Sequence, residues 1–559
     1  MEIWGGIECT INRVGEVYYD QLDYQGHYDR IADIDLIADL GIRKLRYPVL
    51  WEKHRSAEFH PADFSSIDRH LNRCRERGIS VIAGLVHHGS GPVYVNILED
   101  SFADGLAVYA AEVAARYPWI NDYTPINEPL TTARFTGLYG LWFPHLQEEN
   151  AFFRILINEC KATVLAMQAI RKINPTARLI HTEDLGKTHS TTLLQYQADF
   201  ENSRRWIGMD LLCGKLDGAH PFWNYLLDHG IAIQELRFFL DNATPPDVLG
   251  FNHYITSERY LDENLDKYPW HTHGGNSIHR YADVEAIRTG DIAVTGIKNL
   301  LKEAWDRFNL PMAVTEAHLH CGREDQLRWF KHIVDAAQGL VNEGVALIAV
   351  TAWSFFGAYG WNHLLTHQDG SYESGVYDLS EGMPRETALA GMIRSFVNKN
   401  NNFHPVSGGE GWWSRPERLI YGKPVCATVK LTRTDYTTPL LIIADPAELS
   451  QHLIAACNHR DIQFVVLGLS ELDLDDPIQL NEALELYRPW SVINTTGSWS
   501  GNEEAAATGS AYPVWDLVNK SLDMLIDYPQ SIWHLRTSEP FLMEQVPGHN
   551  KESRLLRAV

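Results

Sequence analysis

The sequence lacks an excess of positive charge, an apolar run of membrane-spanning length and any closely spaced pair of cysteines. It carries 48 Lys and Arg against 72 Asp and Glu in 559 residues, a net charge of −24, so neither nucleic acid nor a membrane is expected as a partner. The seven cysteines are scattered without a C-x-x-C pair, which indicates reduced thiols and a cytoplasmic location. The first residues show no targeting segment.

Aromatic side chains are plentiful. The chain holds 17 Trp, 24 Tyr and 20 Phe, more than a core alone explains, and flat rings of this kind also stack on sugars. A length of 559 residues exceeds one ordinary core and predicts two domains. A neutral or cationic small molecule is the partner that the charge admits most readily.

Short β-rich runs alternate with amphipathic helical patterns through the first 400 residues. Gly41 and Gly78 directly follow two of these helical stretches, as helix C-terminal glycines do. Eightfold strand–helix alternation predicts an α/β fold, a (β/α)8 TIM barrel, with a doubly wound open sheet as the alternative. The eight runs are Ile3–Gly6, Arg43–Tyr47, Ser80–Leu85, Asp122–Asn127, Arg178–Thr182, Asp247–Asn252, Met312–Glu316 and Leu347–Trp353.

The carboxyl ends of these runs carry a set of polar and aromatic side chains. In a barrel such ends meet at one mouth, where active sites lie. Two carboxylates at buried strand ends, Glu128 and Glu316, predict an acid/base pair that faces one substrate, which suits glycoside hydrolysis. The rest of the set is Arg46, His87, His88, Asn127, Asn252, Tyr254, Trp353 and Trp361.

Residues 1–400 resemble the family 1 β-glycosidases, which are retaining (β/α)8 enzymes. Asn127-Glu128-Pro129 matches the family's acid/base motif and Thr315-Glu316 its nucleophile motif. Arg46 with Trp51, and Trp353-Ser354, match further motifs in the same order along the chain.

The resemblance implies a covalent glycosyl-enzyme, with Glu316 as nucleophile and Glu128 as acid/base. Arg46 and Tyr254 are expected to contact Glu316 and lower its pKa, while Glu128 must start protonated. Such chemistry needs no cofactor and no metal. The implied substrate-binding residues are Asn127, Arg46, His87, His88, Tyr254, Asn252, Trp353, Trp361, Asn12 and Glu8.

The sequence departs from the family pattern around the expected sugar. Asn12 stands where the family has a glutamine, Glu8 adds a carboxylate, and His88 replaces a tryptophan. Gly360, which precedes Trp361, stands where the family has a glutamate that binds the sugar. Loss of a contact to a hydroxyl shifts specificity, so an atypical sugar or linkage is expected.

A second domain is predicted at 421–559, after a linker at 401–420. Strands at 440–444, 463–467 and 490–494 and helices at 447–458, 477–487 and 513–527 predict a small Rossmann-like, doubly wound fold. Residues 420–540 resemble the dTDP-4-dehydrorhamnose reductase family. The glycines of its nucleotide loop read Ala444, Ala447 and Ser450, and Tyr512 is followed by Asp516 instead of lysine. We therefore expect no cofactor here and a role in packing on the barrel or in homo-oligomer assembly.

Two other functions compete with glycoside hydrolysis, which includes transglycosylation as a variant. One is a sugar-nucleotide oxidoreductase and the other a noncatalytic carbohydrate-binding protein. A metal site among His318, His320, His363 and His367 is not expected, since their spacing fits no zinc module.

Overall fold

The structure, a computed structural model, describes residues 1–400, 403–421, 439–444, 448–459, 462–473, 476–489 and 491–494. Their contacts form two compact units. The first comprises Met1–Ala286 and Ile292–Gly411, and the second comprises Ile287–Asp291 with the described residues from Trp412 onward. The domain boundaries at 400 and 420 stay a prediction.

The first unit is built on a closed barrel of eight parallel strands. Neighbouring strands pair in chain order and β1 closes the ring by pairing with both β2 and β8, so the open-sheet alternative is wrong and the barrel prediction is confirmed. The strands are β1 (Glu2–Gly6), β2 (Lys44–Pro48), β3 (Ser80–His87), β4 (Asp122–Asn127), β5 (Arg178–Asp184), β6 (Val248–His253), β7 (Met312–Ala317) and β8 (Leu347–Ala352).

The barrel strands are apolar because both of their faces are covered. Every residue of β4, β6 and β7 is buried, which explains why these strands read as continuous runs and not as alternating ones. Side chains from six strands fill one layer of the interior, so the barrel is a packed core. This layer comprises Trp4, Ile82, Ile180, Val248, Ala313 and Ala349.

Amphipathic helices connect the strands. Gly41 and Gly78 take φ values of +90° and +68° just after two of these helices, as their type predicts. Within the described residues, no helix is both long and apolar enough to cross a bilayer. The helices of this unit are Gln21–Tyr24, Ala32–Asp39, Trp51–His54, Ser65–Glu76, Asp100–Arg116, Pro129–Ala133, Glu149–Ile173, Gln195–Arg204, Ile207–Leu212, Phe222–Asp228, Ile233–Asp241, Gly296–Phe308, Arg323–Asn342 and Ala388–Val397.

Short strands follow the carboxyl ends of four barrel strands and add walls beyond the mouth. After β5 and β6 a four-stranded sheet forms from Lys187–Ser190, Glu258–Asp262, His273–Gly275 and Arg280–Glu285. Two-stranded pairs follow β1 and β8, namely Ile11–Val14 with Val17–Asp20, Ala358–Tyr359 with Tyr372–Glu373, and Tyr377–Asp378 with Arg385–Glu386.

The second unit contains a small parallel sheet in its described residues. Its strands run in the order Phe464–Gly468, Leu440–Ala444, Ser491–Asn494, with helices Glu448–His459 and Pro477–Tyr487. These elements lie where the sequence predicts them. Ala447, Tyr512, Asp516 and the helix at 513–527 lie outside the described residues, so the Rossmann-like fold, the reductase resemblance and the homo-oligomer stay predictions.

Candidate active site

A cavity with a volume of about 150 Å³ opens at the carboxyl ends of the barrel strands. Eight of the twelve side chains predicted for the site line it: Glu8, His87, His88, Glu128, Tyr254, Glu316, Trp353 and Trp361. The other four, Asn12, Arg46, Asn127 and Asn252, do not belong to its wall but are buried beside it.

Both strands that present a glutamate contain an extra residue relative to a neighbour. From Val314 to Glu316, β7 advances two residues while β6 advances one. Likewise, β4 advances four residues from Tyr123 to Asn127 while its neighbour β5 advances three. Such irregularities change the direction of nearby side chains and are common beside active sites, and each of the two glutamates lies next to one.

The backbone at Glu128 and at His88 is in the left-handed region. Their φ values are +47° and +57°, unusual for residues with a side chain. Pro129 begins a short helix directly after Glu128, which fixes the chain on that side. A conformation of this kind costs about 1–3 kcal/mol and persists where the surroundings hold it, typically at functional sites.

Glu316 is buried between a cation and a hydroxyl. Its Oε1 accepts from Nη1 of Arg46 at 2.8 Å, and its Oε2 accepts from the hydroxyl of Tyr254. Burial nevertheless raises the pKa of Glu316 to about 7, against the lowering effects of Arg46 and Tyr254. The expected contacts are present and both lower the pKa of Glu316 as predicted, but desolvation outweighs them.

Glu128 has a different set of partners. Its Oε1 accepts from Nδ2 of Asn252 at 2.6 Å, and its Oε2 lies 3.8 Å from Nε2 of His88. Burial, and next the charge of Glu316, raise the pKa of Glu128 well above its usual range. Since no Lys or Arg of the described residues is paired with Glu128, it holds its proton when Glu316 has lost one.

Arg46 and Asn127 connect the two glutamates. Oδ1 of Asn127 accepts from Nη2 of Arg46 at 2.7 Å and from the hydroxyl of Thr182 at 2.8 Å. Nδ2 of Asn127 lies 3.3 Å from Nε2 of both His87 and His88. Burial, then Arg46, lowers the pKa of His88 to about 3, so this imidazole is neutral.

Flat side chains form one wall of the cavity. The ring of His87 stacks on Trp353 with 5.6 Å between centroids and 7° between planes, and the Arg46 guanidinium lies 4.8 Å from the Trp353 ring. Trp361 packs edge-on against His88 at 5.8 Å. Such a wall offers apolar faces to a sugar ring.

Two further carboxylates line the cavity opposite Glu128. Glu8 accepts from the backbone and hydroxyl of Thr10 at 2.9 and 2.6 Å. Glu373, which the sequence reasoning missed, has Oε2 3.3 Å from Nε2 of His318 and no hydrogen-bond partner at Oε1. Burial raises the pKa of Glu373 to about 7. Glu373 belongs to no motif, and only its place in a two-residue strand pair after β8 brings it to the cavity.

Two departures from the family pattern take different forms. The side chain of Asn12 is fully buried, donates from Nδ2 to the carbonyl of Leu365 at 3.1 Å and does not line the cavity. Gly360 has a φ of +71°, and a Cβ there would lie 3.1 Å from Cε1 of His363. The backbone at 360 is therefore suited to glycine and not to a larger residue.

His363, His367 and Asp369 form the group of possible metal ligands in the described residues, with ligand atoms within 4.8 Å of one another. Nε2 of His363 lies 3.0 Å from Oδ1 of Asp369, and the two imidazoles stack at 3.8 Å. An ion pair and ring stacking explain this proximity without a metal.

Comparisons with known proteins agree with this architecture. Residues 21–372 match the profile of glycosyl hydrolase family 1. β-Glucosidase A of Thermotoga maritima is 20% identical over 404 residues, which cover 65% of this chain and 84% of that protein.

Solved structures of a β-glucosidase from Thermotoga maritima have the same fold. The complex with deoxynojirimycin aligns with a TM-score of 0.55 and 16% identity over 67% of this chain and 87% of that one. The complex with cyclophellitol aligns with a TM-score of 0.57 and 16% identity over 72% and 98%. With the family match spanning more than half of the sequence, the chain belongs to glycosyl hydrolase family 1 and is a glycoside hydrolase.

Proposed function

We propose that the protein is a retaining β-glycoside hydrolase in which Glu316 is the nucleophile and Glu128 the acid/base. The proposal rests on the difference between the hydrogen-bond and ion-pair partners of the two glutamates. Glu316 is paired with the Arg46 guanidinium and the Tyr254 hydroxyl, which favour its anion. Glu128 is bonded to a neutral amide, and burial together with the charge of Glu316 favours its protonated form.

These protonation states fit a double displacement. The Glu316 carboxylate attacks the anomeric carbon while Glu128 gives its proton to the departing oxygen, so the glycosidic bond breaks as an ester bond forms. Glu316 is then neutral, which removes one cause of the raised pKa of Glu128. Glu128 accepts a proton from water, the water oxygen bonds to the anomeric carbon, and the Glu316 carboxylate is released with net retention of configuration.

The sugar that fits this cavity is an atypical one. Gly360 supplies no side chain, whereas Glu8 and Glu373 bring two buried carboxyls to the wall opposite Glu128. A carboxyl group accepts from two neighbouring hydroxyls, and when protonated it also donates to one. A different edge of the sugar is therefore recognised, since a site built on specific hydroxyl contacts rejects analogues that lack them.

The alternatives of a sugar-nucleotide oxidoreductase and a noncatalytic binding protein find no support in the comparisons. Transglycosylation uses the same two steps with an alcohol in place of water. Product analysis with added alcohols separates it from hydrolysis.

Labelling and substitution test the assignment together. A 2-fluoro-glycoside bearing a dinitrophenolate leaving group, chosen from a panel of sugars, is expected to attach covalently to Glu316, as read by peptide mass spectrometry. Glu316→Gln is expected to lower kcat at least about 1,000-fold, equal to about 4 kcal/mol of transition-state stabilisation. Attachment to any other residue contradicts the assignment.

Two companion variants make the test specific. With Glu128→Ala, dinitrophenyl substrates should still react with Glu316, since they need no acid, and added azide should restore turnover and yield the β-glycosyl azide. Glu52→Gln is the matched control, because Glu52 is another acid of this unit whose pKa burial raises to about 7, and it lies outside the cavity wall. It should keep turnover unchanged.

A further inference from the structure

The cavity extends from the two glutamates toward the segments that follow β4, β5 and β6, and this part is rich in cations. Five basic side chains line it against three acidic ones: Arg134, Lys187, Arg204, Arg205 and Arg259 against Asp184, Glu201 and Asp283. The whole chain carries a net charge of −24, so this local excess of positive charge runs against the composition. Clefts lined by one sign of charge concentrate ligands of the opposite sign.

Three of the five cations already form ion pairs with carboxylates of the protein, and two of them, Lys187 and Arg205, share Glu303. Nζ of Lys187 donates to Glu303 at 2.9 Å, and Arg205 pairs with the same carboxylate. Nε of Arg259 donates to Oδ1 of Asp283 at 2.9 Å. These three side chains are therefore already bonded to acceptors of the protein itself.

Arg134 and Arg204 form no such ion pair in the described part of the chain, although the charges of Asp184, Glu128 and Glu201 act on Arg134 from a distance. Within the described residues Nε of Arg134 is buried without a hydrogen-bond partner, and its Nη2 makes one long contact, 3.3 Å to the Thr131 hydroxyl. Arg204 is only 6% exposed, and its guanidinium forms no hydrogen bond to another described residue but lies 5.4 Å from the ring of Phe152 and 5.5 Å from that of Phe200. A buried donor without a partner, such as Nε of Arg134, is costly unless a ligand accepts from it.

The position of Arg134 and Arg204 relative to Glu128 indicates which part of a substrate would contact these two guanidinium groups. Glu128 delivers its proton to the leaving oxygen, so the leaving group extends past Glu128. Arg134 follows Glu128 by six residues, directly after the short helix Pro129–Ala133, and lines the cavity beside Leu130 and Thr131. The sugar-side carboxyls Glu8 and Glu373 come from the segments after β1 and β8, across the barrel mouth.

We propose that this part of the cavity binds a leaving group that carries a carboxylate, held by the guanidinium groups of Arg134 and Arg204. The inference rests on the proposed function and names the substrate class. A guanidinium matches a carboxylate through two parallel N–H donors, and burial strengthens the bond. A single negative charge is favoured over a dianion because Asp184 and Glu201 also line this region.

Turnover of a matched substrate pair tests the proposal. The pair is an aryl β-glycoside with a 4-carboxylate and its 4-carboxamide analogue, of equal shape and different charge. The intrinsic reactivities of the two leaving groups cancel when their kcat/KM ratio is compared between wild type and variant. Arg134→Met and Arg204→Met should each lower the carboxylate-to-amide ratio about 10-fold. Lys187→Met is the control and should leave the ratio unchanged, since Arg205 still neutralises Glu303.

Equal losses for both substrates, or an equal change of ratio in Lys187→Met, overturn the proposal, because a structural role or general charge would then explain the effect. A calorimetric titration with free 4-hydroxybenzoate and 4-hydroxybenzamide separates this outcome from failure of the proposed function. Tighter binding of the benzoate, abolished in the double variant, supports the carboxylate site even if no glycoside is hydrolysed. Equal binding of the two compounds to wild type refutes the site whether or not glycosides are hydrolysed.

Discussion

Replacing Tyr254 with phenylalanine isolates one contact to the proposed nucleophile. The Tyr254 hydroxyl donates to Oε2 of Glu316, while Arg46 donates to Oε1, and that second bond is kept in the variant. Phenylalanine keeps the ring and its packing, so the change removes a single hydrogen bond to a buried carboxylate that is 2% exposed.

The size of the effect follows from the charge on the acceptor. A hydrogen bond to a charged group contributes about 1.5–3 kcal/mol, and about 1.4 kcal/mol corresponds to one pKa unit. Loss of this bond destabilises the anion of Glu316 and raises its pKa, which burial already places at about 7, by about 1–2 units. Because the nucleophile must be ionised, the acid limb of kcat/KM should move to higher pH by the same amount.

The measurement is kcat/KM for an aryl glycoside from pH 5 to 10, with Tyr123→Phe as control. The Tyr123 hydroxyl bonds the Ile120 carbonyl at 3.2 Å near the start of β4, far along the strand from Glu128, and its loss should leave the acid limb in place. An acid limb that stays or moves to lower pH in Tyr254→Phe refutes the reasoning. A loss equal at every pH means that Tyr254 acts on the substrate and not through Glu316.

Three more predictions follow from buried acids of the same barrel. Asn252→Ala removes the 2.6 Å bond that lowers the pKa of Glu128, so the basic limb of kcat/KM should move up by about one unit; a downward shift contradicts this. Burial raises the pKa of Glu159, whose carboxyl oxygens have no hydrogen-bond partner among the described residues, so stability is lost as pH rises above the pKa of this group in the unfolded chain. Glu159→Gln should therefore raise the free energy of unfolding by about 1–3 kcal/mol at pH 8 and little at pH 5. Equal gains at both pH values in denaturant titrations would contradict this. Glu373→Gln should flatten the change of KM between pH 6 and 8 and spare kcat, as initial rates will show.

The barrel could be read from the sequence because each strand is buried on both faces. The run Met312–Glu316 is apolar or β-prone up to Thr315 and ends at a polar residue, so its bounds agree with the strand Met312–Ala317 to within one residue. Helices Asp100–Arg116 and Glu149–Ile173 begin a few residues before their apolar patterns, since polar first turns carry no periodic signal. The extra residues in β4 and β7 were invisible, because only pairing with neighbours reveals a register shift.

The candidate site was predictable where a residue type and a strand end coincide. Arg46 and Tyr254 make the contacts to Glu316 that were expected of them, whereas Asn252, expected to bind substrate, is bonded to Glu128. Glu373 and Arg134 could not be found in this way. They reach the cavity from a short strand pair and from the π-helical segment Arg134–Leu138, and each has an atom without a hydrogen-bond partner among the described residues, a property of three-dimensional packing.

The bonding partners of the carboxyl groups in this cavity, and not their positions at strand ends, determine the different roles proposed for them. Burial raises the pKa of Glu8, Glu128, Glu316 and Glu373 alike, so desolvation favours the protonated form of all four. Of these four, Glu316 alone is paired with a guanidinium of the described residues, which favours the anion that the proposed nucleophile needs. Glu373 faces the imidazole of His318, which burial keeps neutral by lowering its pKa to about 4, so nothing cationic is bonded to Glu373. In the proposed mechanism, the burial that favours protonated Glu128 also leaves Glu373 able to donate to a sugar hydroxyl as well as to accept from one, so we expect sugar binding to depend on pH.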